Sequence, residues 1–221
     1  MLDFFAKYKF FGLVMLVLSA LIIALMYRAL KPQDKLPIIE PVSVSEELMD
    51  PSMQFVKKYH SIPDFSLLNQ NGDTISQADY QDKIYVADFF FTTCVTICPV
   101  MTDHMAQIQR ELQGDPMVKL LSHSVTPEID SVPQLKKYAL EKGVNDSVWN
   151  LVTGDREQIY DLARKAYFAA KKDAVGEYGM IHTENFVLVD KEKRIRGYYD
   201  GTAPDDIERL LQDIAILKAE Y

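Results

Sequence analysis

With 221 residues and a net charge of −8, the chain is long enough for one membrane segment and one ordinary domain with a sizeable core. Residues 1–35 carry a net +3, so residues 36–221 carry −11. An acidic domain of that kind repels phosphates, which excludes nucleic acid from the expected partners.

Residues 1–9 form an N-terminal flank, and residues 10–27, FFGLVMLVLSALIIALMY, contain no charge. At about 1.5 Å per residue they span about 27 Å, enough to cross a bilayer core. The residues that follow offer no small-residue cleavage pattern, so the span is expected to stay as a transmembrane anchor. Basic residues on both sides leave its orientation open. Residues 28–58, with Pro32, Pro37, Pro41 and Pro51, have the composition of a semi-extended tether.

A single domain is expected over residues 59–221. Residues 65–68 and 74–76 flank an Asn-Gly turn and predict a hairpin. Residues 83–91, KIYVADFFF, form a β-branched and aromatic run that predicts a central strand covered on both faces. Met101, Met105, Ile108 and Leu112 then recur at helical spacing. Strands over 118–125 and 149–152 alternate with helices over 132–142 and 157–170, the latter with Ile159, Leu162, Ala163 and Tyr167 inward. A second hairpin, 185–189 with 194–199, and an amphipathic helix over 203–220 close the chain. The order implies an α/β three-layer sandwich with a mixed central sheet.

Cys94 and Cys98, the only cysteines, fall where the central strand runs into a helix. A helix start lowers thiol pKa, and paired soft thiolates favour copper(I) or zinc over hard ions. Four-residue spacing on a helix puts both sulfurs on one face, with Cβ atoms about 5–6 Å apart, wider than a disulfide wants. Pro99 is tolerated in a first helical turn, which needs no N–H there.

The stretch FFFTTCVTICPVMT (89–102), Ile62-Pro63-Asp64-Phe65, Trp149-Asn150-Leu151-Val152-Thr153-Gly154 and His182 before Phe186-Val187-Leu188-Val189-Asp190 resemble the Sco/SenC family. The resemblance runs from about Ile62 to the last helix. It implies a thioredoxin-like fold and copper (Cu+ or Cu2+) held by Cys94, Cys98 and His182. It further implies work on the dinuclear copper site of cytochrome c oxidase, with the copper-bearing subunit as partner, on the oxidising side of a membrane such as a bacterial periplasm. Thiols there drift to disulfide, so a membrane-linked thiol reductase is an expected second partner. Thr126 and Ile181 stand where relatives commonly carry acids, while Asp130 matches and is the candidate for a supporting role.

Two alternatives share the cysteines. A thiol-disulfide reductase would use Cys94 and Cys98 as a redox-active pair, but such enzymes usually have C-x-x-C and a facing proline, and Ile181-His182-Thr183 stands in that place. A peroxidase resembling peroxiredoxins would need a threonine at Val95. The bland alternative makes both cysteines buried small hydrophobes. Met101 and Met105 are expected in the core, His104 away from the metal, His60 as structural or exposed, and His123 at the core edge without a role. The Lys191, Lys193, Arg194 and Arg196 group reads as solvated surface, and Thr92 and Thr93 as hydrogen-bonding partners near the cysteine turn. The loop 171–181 is a candidate to move over the metal.

Overall fold

A computed structural model describes residues 2–30, 35–44, 60–112, 114–170 and 183–221. They fall into two units, Met1–Asp34 and Lys35–Tyr221. In the first, α1 (Leu2–Leu30) contains Tyr8–Tyr27, a helical stretch long and apolar enough to cross a membrane.

The second unit is built on a seven-stranded mixed sheet among the described residues. Its strands are β1 (Ser66–Asn69), β2 (Thr74–Ser76), β3 (Ile84–Phe90), β4 (Val118–Ser124), β5 (Trp149–Thr153), β6 (Asn185–Val189) and β7 (Ile195–Asp200), in the order β2-β1-β5-β4-β3-β6-β7. β3, β4 and β5 run parallel, and the remaining pairings are antiparallel. The first hairpin turns through Gly72, whose φ of 82° suits glycine, while Asn69 Oδ1 accepts from Asn71 N and Asp73 N.

Every residue of β3 is buried, as its unbroken apolar run requires. Ile84, Val86 and Phe90 share a cluster with α2 (Cys98–Glu111), α3 (Val132–Lys142) and α5 (Pro204–Ala219). Tyr85, Ala87 and Phe89 belong to a second cluster with residues 159–170. This alternation gives the three layers. Gly143 ends α3 at φ 68°, where its N–H reaches the Leu140 carbonyl.

The helix expected over 157–170 is shorter than its periodicity suggests. α4 covers Arg156–Asp161, capped by Asp155 accepting from Gln158 N at 2.7 Å, and then widens into a π turn over Leu162–Ala166. Tyr167 N reaches Leu162 O at 2.8 Å, and Phe168 takes a positive φ of 46°. The reason is packing: Tyr167, Phe168, Ala169 and Ala170 are all buried, and a regular helix cannot turn four successive residues inward. Asp155→Ala is expected to cost about 1 kcal/mol in a urea unfolding experiment, the usual loss for an N-cap; an unchanged midpoint would show that the π turn, not the cap, holds α4.

Residues 35–44, within the stretch expected as a tether, pack on the domain. Leu36 lies against the α5 side of the sheet, whereas Ile39 and Val44 lie against the other face, so the segment crosses the outer edge of β7. Ile39 N donates to Ile195 O at 2.8 Å. Arg196, expected at a solvated surface, is only 3% exposed. Its guanidinium donates to Pro37 O (3.1 Å), Leu36 O (2.6 Å), Asp190 (3.0 Å) and Glu220 (2.8 Å). Unpaired peptide carbonyls and two carboxylates draw it inward, a pull that charge patterning does not reveal. Lys193 pairs with Asp64, and Arg194 pairs with Asp190 and Glu192.

Candidate metal centre

β3 delivers the chain to the site, and α2 receives it. The helix begins at Cys98, with Ile97 as N-cap and Pro99 in the first turn. Cys94 therefore sits on the preceding loop, not on the helix, which corrects the expectation that both sulfurs share one helical face. The loop departs from helix because Cys94 N bonds Phe91 O at 3.3 Å and Thr92 is tied elsewhere. The 5–6 Å helical spacing no longer applies to this pair.

Both cysteines are buried free thiols, and they hydrogen-bond to each other. Burial opposes ionisation of Cys94, but hydrogen bonds from the Thr96 hydroxyl, the Cys98 thiol and the Cys98 and Thr96 backbone N–H groups outweigh it. Its pKa falls below the ordinary thiol value. Burial acts the other way on Cys98, which also gives its proton toward Cys94 and is pushed up to about 12 despite a hydrogen bond from the Phe91 backbone. The two thiols are thus unequal: Cys94 gives up its proton more readily than Cys98, and a soft cation held between them needs both deprotonated.

Asp130 is fully buried and faces Thr92, Ser124 and Thr126 through hydrogen bonds. Thr92 is thereby found near the cysteine turn as expected. His182 and the loop 171–181 lie outside the described residues. Among the described residues no three His, Cys, Asp or Glu side chains form a metal-binding group. Nearby Thr183 is buried and accepts from Asn185 N at 3.1 Å.

The remaining histidines are engaged elsewhere. His60 Nε2 meets Ala166 O at 2.6 Å, and its ring lies 4.6 Å from that of Phe168. His104 Nδ1 meets Gly201 O at 2.7 Å, joining α2 to the β7–α5 turn. His123 is wholly buried, stacked on Phe89, and burial lowers its pKa to about 4. Met101 and Met105 are core residues.

One residue at the site escaped the sequence reading. Asp88 on β3 is 2% exposed on the cysteine side of the sheet, and its Oδ1 has no partner among the described residues. Burial raises its pKa to about 7 against a hydrogen bond from Ser122, whose hydroxyl accepts Trp149 Nε1 at 2.8 Å. Its charge also helps raise Cys98. The one signal was a lone acid inside KIYVADFFF.

Two thiols at a strand–helix junction, on a mixed sheet between helical layers, define a thioredoxin-like dithiol domain. The family model described as SCO1/SenC matches residues 48–218, and the chain belongs to that family. The SCO1 protein homolog of Bacillus subtilis (strain 168) is 32% identical over 157 residues, covering 70% of this chain and 81% of that protein. A SCO1/SenC family lipoprotein from Bacillus anthracis str. Ames superposes with a TM-score of 0.65 at 31% identity, covering 72% of this chain and 95% of that one. BsSco, whose structure identified a disulfide switch and which belongs to the Sco family of cytochrome c oxidase assembly proteins, gives 0.61 at 30% identity, covering 72% and 94%. The copper-bound structure of Bradyrhizobium japonicum ScoI shares the fold, with a TM-score of 0.56 at 24% identity over 69% of this chain and 98% of that one.

Proposed function

We propose that this chain is a membrane-tethered copper carrier that holds its cargo through Cys94, Cys98 and His182 and assists assembly of the dinuclear copper site of cytochrome c oxidase. The observation that carries this reading is the hydrogen-bonded thiol pair at the head of α2, in a family that includes an oxidase assembly protein. Two thiolates with copper(I) have a net charge of −1 and with copper(II) none, and one imidazole completes a donor set that suits both. Three ligands leave a position for a donor group of the recipient subunit, which transfer needs. The apolar helix α1 supports membrane attachment; the family resemblance implies that the domain lies in the periplasm, where a membrane-linked thiol reductase would keep the pair metal-competent.

The unequal thiols favour a second reading, a reductase for the oxidase subunit's cysteines. Cys94 thiolate would attack the subunit's disulfide, forming a mixed disulfide and releasing one subunit thiolate. Cys98 would then displace the second, leaving a Cys94–Cys98 disulfide and the subunit two electrons richer.

His182→Ala separates the two. For a carrier, the full chain in detergent loses copper retention about 10-fold or more on titration followed by absorption and mass spectrometry, while its dithiol still cycles. For a reductase, oxidase assembly survives His182→Ala and fails only on loss of Cys94 or Cys98.

A further inference from the structure

The carboxylate of Asp130 is saturated. Oδ1 accepts from the Thr92 hydroxyl at 2.5 Å, and Oδ2 accepts from Thr92 N at 3.1 Å, the Ser124 hydroxyl at 2.6 Å and the Thr126 hydroxyl at 3.2 Å. Gln134 Nε2 adds a bond to the Thr92 hydroxyl at 3.0 Å. Thr92 is therefore held by main chain and side chain at once, from the β4–α3 connection. Its neighbour Phe91 contacts both cysteines through its backbone: the carbonyl accepts the main-chain N–H of Cys94 at 3.3 Å, and the N–H points to the Cys98 sulfur. The peptides on either side of Phe91 thus connect one buried carboxylate to the backbone of Cys94 and the sulfur of Cys98.

We infer that Asp130 is a positioning residue that fixes the separation and orientation of Cys94 and Cys98 through Thr92, an inference that rests on reading those cysteines as the ligand pair. It acts at one remove and does not touch the cargo. The role needs a carboxylate: an amide in its place would turn an N–H2 donor toward the donors of Thr92 or Ser124. Outer-sphere partners of this kind usually govern metal affinity 10- to 100-fold.

The test uses the full-length reduced chain as wild type, Thr92→Val, Thr92→Ser, Asp130→Asn and the Thr92→Val/Asp130→Asn double variant. Copper(I) affinity is measured by competition with a chromophoric chelator. The ratio of Cys94 to Cys98 alkylation by iodoacetamide is read by peptide mass spectrometry without metal, and thermal unfolding checks the fold. The expected result is a loss of about 10-fold in affinity for Thr92→Val, a changed alkylation ratio, wild-type behaviour for Thr92→Ser, and a double variant no worse than Asp130→Asn alone. A folded Thr92→Val with wild-type affinity and alkylation ratio overturns the inference, as do effects of the two substitutions that simply add. Should Asp130→Asn not fold, Thr92→Val and Thr92→Ser decide alone. A wild type that holds no copper(I) defeats the carrier reading instead, while the metal-free alkylation ratios still judge the positioning.

Discussion

Asp88→Asn is expected to stabilise the domain above neutral pH by up to about 4 kcal/mol relative to wild type, and to leave stability near pH 4 almost unchanged. Asp88 is held in an apolar layer with one oxygen unpartnered among the described residues, and burial lifts its pKa from 3.8 to about 7. Below the lower value the carboxyl is protonated in both folded and unfolded chains and costs nothing. As pH rises, the unfolded chain releases the proton while the folded one retains it. Stability therefore falls from about pH 4 until the folded group ionises near 7, then levels. About three tenfold steps in proton affinity, at 1.36 kcal/mol each, give the figure of about 4 kcal/mol. His123 works in the opposite sense: its lowered pKa of about 4 removes stability as pH falls below 6.5. The difference between variant and wild type isolates Asp88, because His123 is common to both. Urea unfolding at pH 5 and pH 8 measures it, and parallel pH profiles for the two proteins would remove Asp88 from the account.

Asp190→Ala should cost about 3–5 kcal/mol, the range found when one partner of a buried ion pair is removed. Asp190 is 1% exposed and accepts from Glu192 N, Arg194 N and Nε, and Arg196 Nη1. Deleting it leaves the Arg196 guanidinium buried with Glu220 as its one carboxylate among the described residues. Because the same guanidinium grips the Leu36 and Pro37 carbonyls, trypsin should also cleave after Lys35 faster in the variant. A loss below about 1 kcal/mol, with unchanged cleavage, would mean that the surrounding backbone N–H groups, not the ion pair, keep this corner together.

Much of the sheet could be read from the chain because its signals are local. The apolar run of β3, the Asn-Gly turn between β1 and β2, and the repeat of Ile207, Leu210, Ile214 and Leu217 in α5 each declare themselves within a few residues. What was hidden depends on distant partners. Cys94 leaves the helix because Thr92 is tied to a carboxylate 38 positions away. The π turn arises because the core accepts four successive side chains, which no helical repeat anticipates. Residues 35–44 read as a tether because their attachment runs through main-chain carbonyls, which have no sequence signature. Asp88 was submerged in the very run that identified its strand. The cysteine pair was plain because two thiols at a strand–helix junction are rare in composition and specific in place. The third expected ligand, His182, lies outside the described residues, and the copper titration above carries that question.

The strap over β7 has a practical consequence for anyone shortening this protein. It is fastened by peptide groups of Leu36, Pro37 and Ile39 and by the apolar side chains of Leu36, Ile39 and Val44, so the identity at Pro37 can drift more easily than that at Leu36. Removing the strap is another matter. A soluble version that starts at Val42, past Ile39, would strip the outer edge of β7 and leave Ile195 O seeking a hydrogen-bond donor. Bare sheet edges recruit other chains. Self-association in such a truncated version would then report the missing strap rather than any quaternary structure of the native protein.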